Sequence, residues 1–172
     1  LDMTKERPTV ALVLAGGQGT RVGSGIPKQY RKLAGKSLLR WSLETLCQYQ
    51  AIDHVRVVIN PDDEPLYREV ITDLELMEPV YGGRTRYESS RNGIESLEKL
   101  YPGSILIHDG ARPFISPYLL DRLILNLASR QAVVPGLKIN DRLIIEKITY
   151  KLRAPNRGEI VVFNSPYSFD PV

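Results

Sequence analysis

Apolar residues fall into short unbroken runs over the first 135 residues, and stretches of helical spacing separate most of those runs. Val10 to Leu14 contains no polar residue, as expected for a strand covered on both faces of a sheet. Leu38, Leu39, Trp41, Leu43 and Leu46 then recur with helical spacing behind Ser37, which has the side chain an N-cap requires. Trp41 and Cys47 read as core residues of that helix. His54 to Ile59 predicts a second strand, closed by Asn60-Pro61-Asp62-Asp63. A helix over about 64–73, a short strand at Glu78 to Tyr81 and helical spacing of Ile94, Leu97 and Leu100 follow. Ser104 to His108 is a further buried strand. Ser116-Pro117 opens a helix running to about Ser129, and Ala132 to Pro135 is a strand. Strands alternating with helices predict an α/β fold, a doubly wound and mostly parallel sheet. After Gly136 the regularity weakens. Leu143 to Ile148 and Glu159 to Phe163 have strand character around a polar stretch, so about 137–163 reads as an excursion or arm.

The length, 172 residues, suits one domain with a real core. A net charge of +3 suits anionic small molecules, and no basic run or aromatic-basic stripe of the kind nucleic acid needs is present. Cys47 is the single cysteine, which excludes an intrachain disulfide and a Cys-rich metal centre. No stretch approaches a membrane span and no signal peptide precedes Thr9, so the expected compartment is the cytoplasm.

The candidate chemistry lies where strands end. The first strand empties into Ala15-Gly16-Gly17-Gln18-Gly19-Thr20-Arg21. Gly16, Gly17 and Gly19 let backbone N–H groups come close to an anion. Arg21 and Lys28 flank this loop, and Pro27 stiffens the backbone before Lys28. Neither glycine fingerprint for nucleotides fits: no Gly-Lys-Ser/Thr closes the loop, and position 22 is Val. Gly82-Gly83-Arg84-Thr85-Arg86 repeats the theme of a glycine turn with cations attached. Asp109 stands at the end of a buried strand, where parallel sheets place their ligand crevice, and is a candidate Mg²⁺ ligand beside a triphosphate. A plain tight turn at the glycines and a structural turn at Asp109 remain open as alternatives. Asp62, Asp63 and Glu64 read as a solvated helix start, and His108 as a strand-end residue rather than a base.

Four stretches together resemble the 2-C-methyl-D-erythritol 4-phosphate cytidylyltransferase family: Ala15 to Arg21, Pro27-Lys28-Gln29-Tyr30, Gly82 to Arg86 with Ser89, and His108-Asp109-Gly110-Ala111-Arg112-Pro113. They occur in the family's order over roughly residues 9 to 135. The resemblance implies a Rossmann-like fold, CTP as substrate, Mg²⁺ as cofactor, and a homodimer whose arm helps bind the polyol phosphate in the other subunit. It implies that Arg21 and Lys28 stabilise the pentacoordinate phosphorus and that Asp109 holds the metal. Ala15, Gly16, Gly83 and Ser89 would contact the cytidine, with Gly17 and Gly19 completing the loop and Arg86 and Arg112 supporting the pocket and ribose.

The last third departs from the family pattern. Asp141-Arg142 with Ile144 stands where the family has Asp-Thr and a lysine, and Ser165-Pro166-Tyr167 replaces Thr-Pro-Gln. Arg157 matches the family's arginine that positions the acceptor phosphate. The resemblance further implies closing strands and a helix beyond Val172. Residues 1–172 then read as one cytidylyltransferase domain short of its C-terminal end, compatible with fusion to a cyclodiphosphate synthase. Three other readings stay open: transfer to another polyol phosphate such as ribitol 5-phosphate, a nucleotide-binding relative without catalysis, and guanylyl transfer of the molybdenum-cofactor type.

Overall fold

The computed structural model describes residues 7–17 and 25–136, together with the backbone of 138–139, 142–143 and 161–164. The strands are β1 (Thr9–Ala15), β2 (Lys32–Leu33), β3 (Lys36–Ser37), β4 (His54–Ile59), β5 (Val80–Tyr81), β6 (Ser104–Asp109), β7 (Ala132–Val133), β8 (Lys138–Ile139), β9 (Arg142–Leu143) and β10 (Val161–Asn164). The helices are α1 (Leu38–Gln48), α2 (Glu64–Val70), α3 (Arg86–Glu95) and α4 (Pro117–Leu127), with 3-10 turns at Lys28–Tyr30, Pro61–Asp63 and Glu98–Leu100.

The main sheet has the order β5-β4-β1-β6-β10-β7. β1 runs parallel to β4 and β6, and β4 parallel to β5. The chain winds outward from β1 through β4 and β5, then crosses back to β6 on the other flank of β1. The topological switch point, where open α/β sheets form their crevice, therefore lies between β1 and β6. β10 pairs antiparallel with β6 and β7, so Val161 to Phe163, expected within the arm, lie in a strand between those two. Its insertion satisfies the edge of β6 that would otherwise be unpaired. β8 and β9 pair with each other, antiparallel; residues 144–148 of the strand expected at Leu143 to Ile148 lie outside the described residues.

Alternation along β1 explains its unbroken apolar run. Ala11, Val13 and Ala15 pack with Leu39, Leu43 and Leu46 of α1, Tyr67 of α2, and Leu120, Leu123 and Leu127 of α4. Val10, Leu12 and Leu14 pack on the opposite face with Leu97, Ile105 and Ile107, beneath Ile94 and Leu100. Both faces are covered, so neither set of positions tolerates a polar residue.

Local signals account for the helix ends. Ser37 Oγ accepts the Arg40 N–H at 3.1 Å and Ser116 Oγ accepts that of Leu119 at 3.2 Å, both as N-caps. α2 stops at Val70, short of the expected 73, because Arg40 of α1 donates to the Val70 carbonyl at 2.8 Å and binds the Asp73 carboxylate at 2.6 and 2.8 Å. Trp41 is only partly buried and packs outside the core, which corrects the expectation for it, whereas Cys47 is partly buried against the core. Leu39, Leu43 and Leu46 define the inward face of α1, leaving 41 on its far side and 47 on its flank. Trp41 instead donates its indole N–H to the Leu33 carbonyl at 3.0 Å, beneath the Lys36 ammonium 4.4 Å from its ring. Among the described residues no helix is long and apolar enough to cross a membrane.

The β2–β3 hairpin turns through Ala34 (φ 50°) and Gly35 (φ 84°). Two positive φ values in a two-residue loop favour Asn-Gly, whereas alanine there brings its Cβ against the carbonyl oxygen. Ala34→Asn is expected to stabilise the chain by roughly 0.5 kcal/mol, read as a higher thermal midpoint with unchanged far-UV dichroism.

Candidate active site

The crevice is built from three neighbouring strand ends. Ala15 stands opposite Ile59 and Leu14 opposite Asp109 in the ladder. The Gly110 N–H extends the ladder to Leu14 O at 2.9 Å, and the Gly82 N–H does the same to Ile59 O at 2.8 Å. Both turns that the sequence singles out are thus continuations of the sheet, held on either side of the glycine turn that leaves β1.

Asp109 organises the β6 side. Its Oδ1 accepts the Ala111 N–H at 3.1 Å, which fixes the carboxylate by an Asx turn. Its Oδ2 faces Arg86 Nη1 at 3.5 Å and Arg112 Nε at 3.7 Å. Nε and Nη2 of Arg86 are buried with no hydrogen-bond partner among the described residues. Buried guanidinium N–H groups without acceptors are costly, and phosphate or hydroxyl oxygens relieve that cost. The site is therefore suited to an anionic ligand.

The second glycine turn is shaped by the start of α3. Thr85 Oγ1 accepts the Glu88 N–H at 3.1 Å, while Glu88 Oε2 accepts the N–H groups of Thr85 at 3.1 Å and Arg84 at 2.6 Å. Ser89 Oγ accepts the Gly83 N–H at 3.1 Å and donates to Thr85 O at 2.9 Å. A Cβ on Gly83 would overlap the Glu88 side chain, so only glycine fits this closely folded turn. Thr85 and Glu88 are missing from the sequence-derived set, although Thr-x-x-Glu is the signature of a capping box.

Lys28 projects into solvent from the 3-10 turn that begins at Pro27, whereas the next two residues, Gln29 and Tyr30, are buried. The structure brings together Ala15, Gly16, Gly17, Gly83, Arg86, Ser89, Asp109 and Arg112 along one carboxyl edge. Gly19, Arg21 and Arg157 lie outside the described residues. Asp63, expected at a solvated helix start, is instead buried (7% exposed), because the Pro61–Asp63 turn packs it toward Gln29. Burial, with Asp62 beside it, raises its carboxyl pKa.

A divalent cation is a fair fit to Asp109. No group of three or more His, Cys, Asp or Glu side chains capable of caging a metal occurs among the described residues. Magnesium, however, commonly binds through one or two carboxylates plus substrate phosphates, and one hard carboxylate beside an anion pocket supplies that.

His108 lies in β6, one residue before Asp109. It is 1% exposed and its Nε2 lies 3.0 Å from Arg112 O, so Nε2 carries the proton and donates, leaving Nδ1 bare. Burial lowers its pKa to about 4. The unfolded chain, with an ordinary histidine near 6.5, then binds the extra proton first. Stability present above about pH 6.5 is lost as pH falls toward 4, by up to about 3 kcal/mol. His108→Gln is expected to flatten that acid slope in thermal melts taken between these pH values.

A family model for 2-C-methyl-D-erythritol 4-phosphate cytidylyltransferase matches residues 9–170. A bifunctional enzyme IspD/IspF of Wolbachia pipientis wMel is 38% identical over 171 residues, covering 96% of this chain and 43% of that protein. Its counterpart from Paramagnetospirillum magneticum is 45% identical over 135 residues, covering 78% and 35%. The chain thus spans less than half the length of the curated relatives it matches. The crystal structure of 4-diphosphocytidyl-2C-methyl-D-erythritol synthase from Anaerococcus prevotii superposes with a TM-score of 0.68 at 25% identity, covering 92% of this chain and 70% of that one. With the family model spanning nearly the whole sequence and the same α/β architecture in a solved relative, the chain belongs to the 2-C-methyl-D-erythritol 4-phosphate cytidylyltransferase family.

Proposed function

We propose that this chain transfers CMP from CTP to 2-C-methyl-D-erythritol 4-phosphate, the cytidylyl-transfer step of non-mevalonate isoprenoid synthesis. An oxygen of the acceptor phosphate attacks the α-phosphorus of CTP in line. The bond from that phosphorus to the bridging oxygen breaks, and the β- and γ-phosphates leave as pyrophosphate. The nucleophile is already an anion, so no general base is required, in keeping with a neutral, buried His108. Catalysis then rests on positioning and on stabilising negative charge. The observation that carries this reading is the Asp109–Arg86–Arg112 cluster at the β1/β6 switch point, beside the glycine turn that leaves β1.

In this reading Ala15, Gly16, Gly17 and Gly19 cradle the nucleotide, and Gly83 and Ser89 contact the cytidine. Arg86 and Arg112 support pocket and ribose, while Lys28 and Arg21 meet the charge that develops on the α-phosphoryl oxygens. Asp109 would hold Mg²⁺, which supplies charge neutralisation on the triphosphate when bound. Arg157 would position the acceptor, and about 137–160 would form an arm that reaches a second subunit of a homodimer.

Pyrophosphate release from CTP and Mg²⁺ tests the reading, with methylerythritol 4-phosphate and ribitol 5-phosphate as parallel acceptors. Turnover with the first alone supports it. Turnover only with the second keeps the nucleotide chemistry and replaces the acceptor, an outcome motivated by Arg142, Ile144 and Tyr167 in the divergent segment. Binding of CTP without turnover would make the chain a non-catalytic nucleotide binder.

A further inference from the structure

We propose that Gln29 is a positioning residue: its buried amide ties the Ala15–Gly17 turn to the Lys28–Tyr30 turn, and so sets where Lys28 stands relative to the triphosphate. The inference rests on the reading of the crevice as a CTP site given above. Gln29 is 4% exposed, and its Nε2 donates to Ala15 O at 2.6 Å and Gly17 O at 3.3 Å, with Asp63 Oδ2 at 3.5 Å. All three neighbours are acceptors, so the nitrogen of the carboxamide has to face them.

This arrangement matters for a phosphate cradle. A glycine turn binds an anion through N–H groups left for the ligand, and its buried carbonyls need donors elsewhere. Gln29 takes two of those carbonyls, at 15 and 17, with a single side chain. The same residue is fixed from the other end. The Tyr30 N–H donates to Pro27 O at 2.9 Å, and Tyr30 itself is buried. Lys28 and Gln29 are consecutive in this turn, one exposed and one buried, so the anchor of Gln29 is the fixed point from which Lys28 reaches out. Without the amide, the two turns lose the side-chain hydrogen bonds that join them.

The test uses the full natural protein and four forms: unchanged, Gln29→Met, Lys28→Ala and the double variant, with Gln29→Glu as the isosteric control. Methionine keeps the bulk and removes both donors; glutamate keeps the shape and sets a carboxylate against two carbonyls. At saturating CTP, Gln29→Met is expected to lose about 100-fold in turnover, the scale of a small misplacement of reacting groups. The acceptor KM should stay within about threefold and the thermal midpoint within a few degrees. Because Gln29 acts through Lys28, the double variant should lose far less than the product of the two single losses. Multiplying losses, turnover within about threefold of the natural chain, or activity that falls only in step with stability would each overturn the proposal. Should Gln29→Met not fold, Gln29→Glu is judged by the same criteria; if neither folds, the residue is structural and the proposal falls. If the natural protein binds CTP without turnover, the proposed reaction fails on its own, and Gln29 is judged on CTP affinity, where about a tenfold loss is expected. A natural protein that does not bind CTP ends both.

Discussion

Lys28→Ala is expected to lower turnover about 100- to 1,000-fold while weakening CTP binding by less than about tenfold. The asymmetry follows from where the side chain stands. Lys28 extends into solvent, with its backbone secured by the turn that buries Gln29 and Tyr30. A flexible ammonium on a fixed base gains most when negative charge grows on the phosphoryl oxygens, and that happens in the transition state rather than in bound CTP. Removing an exposed side chain leaves no cavity, so the thermal midpoint should hardly move. Single-turnover rates and calorimetric CTP binding on the same preparation separate the two effects. Equal losses in both would assign Lys28 to ground-state binding and remove its proposed role.

Asp109→Asn is expected to abolish most turnover, by about 100-fold or more, at a magnesium concentration saturating for the natural chain. Asparagine keeps an oxygen for the Ala111 N–H, which now holds Asp109 Oδ1 at 3.1 Å, so the local turn should survive. Its amide nitrogen, however, would face Arg86 Nη1 and Arg112 Nε, setting donor against donor where Oδ2 now stands at 3.5 and 3.7 Å. The change removes the proposed metal ligand and the carboxylate charge that faces the two guanidinium groups. Both arginines are partly solvated, at 30% and 48% side-chain exposure. Screening therefore limits the stability loss, and the melt should shift by a few degrees at most. Pyrophosphate release titrated with Mg²⁺ checks the assignment. Unchanged turnover would take Asp109 out of metal binding, and a loss that follows unfolding would leave it a purely structural turn residue.

The parts of this site legible in the sequence are those defined by local rules. Ser37 and Ser116-Pro117 announce helix starts because capping depends on one side chain and the next turn of backbone. Asp109 was readable because a carboxylate after SILIH must emerge at the end of a buried strand. Trp41 was misread as core because helical spacing alone does not say which of two apolar faces meets the sheet. Asp63 was misread as solvated because its neighbours, Gln29 and Tyr30, are more than thirty residues away in the chain. The strand at Val161–Asn164 was visible as a strand, yet its place between β6 and β7 was not, since β pairing is a long-range choice.

The sequence by itself determined the alternation of strands and helices, the two glycine turns with their cations, and the family those motifs mark. Periodicity, caps and turns are short-range physics, and a single chain carries them in full. Tertiary structure alone decided that Asp109 would meet Arg86 and that Gln29 would hold the first turn at Ala15 and Gly17. Those contacts join residues 12 to 23 positions apart. Most of them exist only because β1, β4 and β6 end side by side once the apolar faces of the sheet are covered.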